Sequence, residues 1–190
     1  LTLAGKRVFE VVRACPTPPT DFFFSPDGQY VFLTSDWCNQ KPPNQLVEFY
    51  LKKQTSRVLM VGGRAAYGNP CSPTGTHLVV FRTGSDGKVR TWVLSRRDRK
   101  MQLLYPHGML EDVVWSADSQ WIYGVAGISP HRTFLKINTR TGRRQALPLG
   151  LGGRISPDAR QEAYREPKSG EIRIRSVVSS QRPPHRIHLG

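Results

Sequence analysis

One four-residue turn recurs along the chain. Its copies are Ser25-Pro26-Asp27-Gly28, Ser72-Pro73-Thr74-Gly75, Ser116-Ala117-Asp118-Ser119 and Ser156-Pro157-Asp158-Ala159. Successive serines stand 47, 44 and 40 residues apart. Each copy follows a short apolar run, and the first three lead into another. A unit of that size cannot bury its own apolar face. Repeats of it must therefore stack, each covering the next.

The turn chemistry is local. Pro at the second place presets φ, Asp suits the third, and Gly takes the left-handed conformation that follows in a type I turn. Copies three and four lose the Gly or the Pro, which predicts looser turns there. Asp21-Phe22-Phe23-Phe24 enters the first turn and Gln29-Tyr30-Val31-Phe32-Leu33 leaves it. The second copy leaves through His77 to Phe81, and the third through Trp121 to Val125. Phe24, Cys71, Trp115 and Ile155 all stand immediately before the serine. That equivalence predicts four core residues, with Cys71 a packing residue rather than a reactive thiol.

Each repeat has a second half. Leu46 to Leu51 with Arg57 to Val61 reads as a hairpin, as do Val89 to Leu94 with Met101 to Leu104. Thr133 to Ile137 with Gln145 to Leu147, and Ile172 to Val177 with Arg186 to Leu189, complete the set. Runs of β-branched and aromatic residues favour strands. Four strands in meander order per repeat predict an all-β chain, a β-propeller of four-stranded blades.

Apolar-Ser-Pro-Asp-Gly-x-aromatic-Val, followed by a strand such as Leu46 to Leu51, resembles the TolB-type, WD40-like propeller repeat. The same repeat occurs in propellers of prolyl oligopeptidase-like enzymes. The resemblance covers residues 20 to 190. The Gly-His and Trp-Asp pairs of true WD40 repeats are absent. The motif is informative about fold and poor for function; the resemblance implies an extracytoplasmic, periplasmic setting.

The expected blades span residues 20–62, 66–107, 110–149 and 150–190, with an extra N-terminal hairpin over 1–14. Three closures stay open: a small ring closed by that hairpin, part of a larger six- to eight-bladed ring, or a homodimer joined through open blade edges. Propellers usually close by removing exposed sheet edges. The longest apolar runs are strand-length, so no transmembrane stretch is predicted. Three cysteines make no disulfide framework. Cys15 and Cys38 read as loop residues, either bridged or free.

Net charge is +14, with 20 Arg and 8 Lys. Residues 132 to 190 carry 13 basic and four acidic side chains. Arg96-Arg97-Asp98-Arg99-Lys100 forms a second cluster in an outer turn. Such charge fits a nucleic acid or other polyanion partner. It fits equally an Arg-rich solvated surface. Arg173 and Arg175 alternate with Ile172 and Ile174, which predicts a solvent face.

No Gly-x-Ser-x-Gly elbow is present, so the chain carries no hydrolase motif of that kind. Gly150-Leu151-Gly152-Gly153 lacks a following Lys-Ser/Thr and reads as a linker. None of the five histidines pairs with Cys or carboxylates at metal-ligand spacing, and no cofactor is expected. Partner-binding candidates are Trp37 in the polar loop 35–44, the exposed basic turn with Arg96, Arg97, Arg99 and Lys100, and His107 with Glu111 at a blade mouth. A large apolar side chain in a polar loop can mark a contact. The first reading is a non-catalytic scaffold that presents loops to a protein partner. The alternatives are the propeller portion of a hydrolase-type enzyme and a basic ribonucleoprotein-associated scaffold.

Overall fold

The computed structural model describes residues 21–35, 44–127, 132–147, 154–156, 160–165, 172–176 and 185–186, and the strand pair at 2–3 and 6–7. The pair is a short hairpin, β1 (Thr2–Leu3) with β2 (Lys6–Arg7). Among the described residues, every other strand belongs to one of four four-stranded antiparallel sheets. The first blade is β3 (Asp21–Phe24), β4 (Tyr30–Ser35), β5 (Gln45–Tyr50) and β6 (Thr55–Val61). The second is β7 (Gly63–Ala65), β8 (His77–Thr83), β9 (Val89–Ser95) and β10 (Met101–Tyr105). The third is β11 (Leu110–Trp115), β12 (Trp121–Ala126), β13 (Thr133–Asn138) and β14 (Arg144–Leu147). The fourth is β15 (Arg154–Ile155), β16 (Gln161–Arg165), β17 (Ile172–Ser176) and β18 (His185–Arg186). Among the described residues, no sheet joins strands from both ends of the chain. The second blade begins with β7 at Gly63, ahead of the expected boundary at residue 66.

The serine of each turn has a role of its own. Ser25 is buried, and its Oγ accepts the Tyr30 amide at 2.9 Å. Ser72 does the same for His77 at 3.0 Å, Ser116 for Trp121 at 2.9 Å and Ser156 for Gln161 at 2.9 Å. Asp27 Oδ1 accepts from the Ser25 hydroxyl and the Gln29 amide, and Asp118 repeats both bonds with Ser116 and Gln120. Gly28 and Gly75 sit at φ +67° and +68°, as the turn requires. In copy three Ser119 takes that place at φ 59°. The third turn is therefore not looser. Its hydrogen bonds hold a serine in a conformation that glycine adopts more readily.

Alternation along the strands puts one face of each blade toward the preceding blade and one toward the next. Between blades one and two lie Phe32, Leu46 and Met60 from the first and Cys71, Leu78, Val80 and Leu94 from the second. Between blades two and three lie Val79, Phe81 and Val93 against Val113, Trp115, Ile122 and Ile137. The core of the described residues thus lies in two interfaces, one between blades one and two and one between blades two and three. Trp115 is 2% exposed and donates its indole N–H to Pro70 O at 3.0 Å. Gly68 (φ +97°) lies against Val113, and an added Cβ there would meet backbone at 2.7 Å.

Phe24 departs from its expected role. Cys71 is 1% exposed, but Phe24 is 55% exposed. The reason is positional: Cys71 and Trp115 each face a preceding blade, and no described blade precedes the first. The side chain of Ile155 is outside the described residues.

The fourth blade departs in chemistry. Val31 pairs across its sheet with Phe49, Leu78 with Leu94 and Ile122 with Ile137. The same cross-strand place in blade four holds Glu162 and Arg175. Arg175 Nε donates to Glu162 Oε2 at 2.6 Å, and Glu162 is fully buried. Arg175 is therefore no solvent-face residue; it turns inward to neutralise a buried carboxylate, stacked over Tyr164 at 4.6 Å.

Candidate binding site at the loop end of the blades

A meander blade has two different ends. The serine turn and the outer hairpin turn lie at one end. The loop between the two middle strands and the linker to the next blade lie at the other. Arg96 to Lys100, which join β9 to β10, are at the turn end. His107 and Glu111, at the passage from β10 to β11, are at the loop end. The structure therefore separates these predicted site residues. Trp37 lies outside the described residues, as do Cys15, Cys38 and His131.

At the turn end Arg96 parts from its neighbours. Its Nε donates to Glu48 Oε2 at 2.7 Å, its Nη1 donates to Gly75 O, and its guanidinium lies over Tyr30 at 4.3 Å. Arg57 Nε holds the other Glu48 oxygen at 2.8 Å. Arg96 is an inter-blade strut. Arg97, Arg99 and Lys100 are exposed, and Lys100 is 3.7 Å from Asp98.

At the loop end, blades two and three border an open cavity of about 730 Å³. Val89, Pro106 and Met109 give it apolar wall, and Lys88, Arg90, His107 and Glu111 give it charge. Its walls are fixed from below. Thr91 is fully buried; its hydroxyl donates to Gly108 O at 2.9 Å and accepts from the Leu110 amide at 3.0 Å. One side chain thus sets the linker that carries His107 and Met109. Gly108 has φ +138°, a conformation that favours glycine. A bulge between Glu111 and Val114, with Asp112 at φ 50°, turns the start of β11.

The charges are organised. Arg90 grips Asp86 with both terminal nitrogens, at 3.0 and 2.5 Å, which lowers the Asp86 pKa and raises that of Arg90. Arg132 Nη2 donates to Glu111 Oε2 at 2.6 Å. His107 packs edge-on against Tyr105 with ring centres 5.6 Å apart. Arg64 lies over Tyr67 at 4.5 Å and reaches Met109 Sδ at 3.9 Å. Tyr67 and Met109 are 41% and 37% exposed. A cavity of this size, mostly apolar with a few oriented polar groups, is the form of a ligand or peptide cleft. Among the described residues, no three of His, Cys, Asp and Glu are gathered as a metal site would need.

No family model and no curated protein matches the sequence. Solved structures do match the fold. The chain is 13% identical to TolB from Acinetobacter baumannii, with a TM-score of 0.64 over 85% of this chain and 42% of that one. The β-propeller domain of the Trilobed protease from Pyrococcus furiosus, which has an open velcro topology, is 17% identical with a TM-score of 0.60. The overlap there covers 90% of this chain and 57% of that one. The chain has a TolB-like β-propeller fold. Acylaminoacyl peptidase of Pyrococcus horikoshii is also similar, 11% identical with a TM-score of 0.59, over 84% of this chain and 31% of the peptidase. The chain thus spans about half or less of two of these structures and 57% of the third.

Within this TolB-like propeller, sequence reading picked out His107 and Glu111 but missed Lys88, Arg90, Met109 and Arg132. One signal was available. Asp86-Gly87 between two β-rich runs marks a tight hairpin turn, which puts Lys88 and Arg90 at the same blade end as the linker. The pairing of Arg132 with Glu111 joins residues 21 apart and needs the folded sheet.

Proposed function

We propose that this chain is a non-catalytic binding module that receives a segment of a protein partner at the loop end, between the second and third blades. The cavity carries the reading. Its wall includes exposed Met109, and its Arg90 and Glu111 are each held by an ion pair. Rigid strands holding variable loops are a general way to build a binding face. A photo-crosslinking amino acid at position 109 should capture a partner protein in cells, and the same group at position 97 should not. Capture from 97 alone would overturn the reading. Capture of nucleic acid from 97 would favour the basic scaffold.

A second reading has one observation in its favour, the likeness to peptidase propellers. In that reading the chain is the propeller portion of a hydrolase. A fluorophosphonate probe that labels the endogenous polypeptide carrying this sequence would support it, and an unlabelled polypeptide would count against it.

A further inference from the structure

An outer hairpin turn joins the last two strands of each blade, and in the first three blades each of these turns is basic. Lys52 and Lys53 lie between β5 and β6, Arg97, Arg99 and Lys100 between β9 and β10, and Arg140 and Arg143 between β13 and β14. All seven are exposed, and the acid within the three turns is Asp98, beside Lys100. The meander order puts the three turns at the same end of their blades. Two hydrogen bonds between blades join them into a row. Arg57 Nη2 of the first blade donates to Arg96 O in the second turn at 2.9 Å. Gln102 Nε2 of the second blade donates to Arg140 O in the third turn at 3.0 Å. Other carboxylates at this end are already engaged: Asp27 and Asp118 by their own serines, and Glu48 by Arg57 and Arg96.

We propose that this row binds the phosphodiester backbone of a nucleic acid, without reading its bases. Three observations carry this. The cations recur once per blade at one repeat place, so a polymer with evenly spaced charge can meet one cluster after another. Four of the seven are arginines, Arg97, Arg99, Arg140 and Arg143, and the planar guanidinium fork bonds phosphate oxygens bidentately. None of the three turns carries an aromatic or an exposed apolar side chain. Nothing there can stack on a base, wedge into a lipid surface or fill a pocket on a protein. What remains is contact to phosphate, which positions a nucleic acid without specifying its sequence. The row is at the end of the blades opposite the cavity, so it adds a second ligand and does not rest on the reading of the cavity.

Fluorescence anisotropy of the full chain with a labelled DNA duplex, and with a labelled single strand of the same length, tests this. At least one probe should bind, and its affinity should fall about 10³-fold between about 50 and 200 mM salt. Arg97→Gln with Arg140→Gln and Arg143→Gln should weaken binding at least about 30-fold at about 100 mM salt and flatten the salt dependence. Arg82→Glu with Ser85→Glu removes the same three charges at the loop end. That variant should cost less than about threefold, because salt screens charges more than about 10 Å away. Circular dichroism checks that both variants are folded. Should the triple variant not fold, Arg97→Gln alone should still weaken binding about fivefold. Failure of the folded parent chain to bind either probe would overturn the proposal. So would equal losses in the two folded variants, or co-sedimentation with phosphatidylglycerol vesicles by a chain that binds neither probe. Crosslinking from position 109 reports on the cavity alone and is unaffected by any of these results.

Discussion

Arg96 of the second blade donates its Nε to Glu48 of the first at 2.7 Å, across the interface that joins them. Glu48 is 4% exposed. Its two carboxylate oxygens are shared between Arg96 and Arg57, and the Arg96 guanidinium is stacked on Tyr30 and Phe32. A charge cluster of this kind contributes geometry as much as energy. It sets the rotation of one sheet against the next, because both oxygens must be met at once.

The two arginines should differ in cost. Arg96 has a side chain only 12% exposed, and Arg57 is 42% exposed. Breaking a buried pair typically costs about 3–5 kcal/mol, while an exposed pair is worth about 0–1 kcal/mol. Arg96→Ala should therefore destabilise by about 3 kcal/mol and Arg57→Ala by less than about 1 kcal/mol. Urea melts of the two variants measure the difference. Equal losses would mean that the inter-blade contact is no strut.

The ion pair of blade four can be returned to the chemistry of its sister repeats. Glu162→Ile with Arg175→Ile recreates the pair found at Ile122 and Ile137. Replacing a buried ion pair by packed apolar residues is often neutral or stabilising by about 1–4 kcal/mol. The double variant should be at least as stable as the parent chain. Arg175→Ala alone should be destabilised, since it removes a partner of a buried carboxylate. Thermal or urea unfolding of both variants gives the comparison.

Cys71 should be chemically silent in the folded chain. Burial pushes its thiol up to about 12, and the residue is 1% exposed. In a Cys15→Ser, Cys38→Ser background, a disulfide reagent at pH 8 should leave the native protein unmodified and label it promptly in urea. Prompt labelling without urea would show that the interface of the first two blades opens.

The serine turns should give the fold an acid limit. The Ser25 hydroxyl, then the Gln29 amide, lower the pKa of Asp27; Ser116 and Gln120 act likewise on Asp118. The folded pKa lies below the unfolded value near 3.9. Each group therefore adds stability above that value and loses it as pH falls through the folded pKa. Both carboxylates are nearly fully solvated, so each effect is small. Asp27→Asn with Asp118→Asn should lower stability at pH 7 and flatten the part of the decline below about pH 4 that these groups cause. Chemical denaturation at pH 3 and pH 7 reads both.

The fold was legible because its signals are local. A serine turn, a strand of alternating residues and a second hairpin each act within about ten residues, and their repetition at fixed intervals specifies the stacking. Cys71 and Trp115 were legible as core for the same reason. What failed was assigning equal burial to equal positions. Phe24 has the sequence of a core residue and the exposure of a surface one, because burial depends on a neighbouring blade and not on the residue's own strand.

The all-β class, the four-stranded unit and the turn that closes it follow from residue order alone. Backbone conformation and strand alternation are properties of short segments, so a one-dimensional pattern suffices to state them. Which charges are structural depends on the packing of blade against blade. Arg96 looked like its neighbours Arg97 and Arg99, and it is the one that reaches Glu48, 48 residues away, across an interface. The cavity at the loop end is likewise a product of packing. Lys88, His107 and Glu111 come from separate segments, and only the docking of one blade on the next brings their electrostatic fields to bear on one volume.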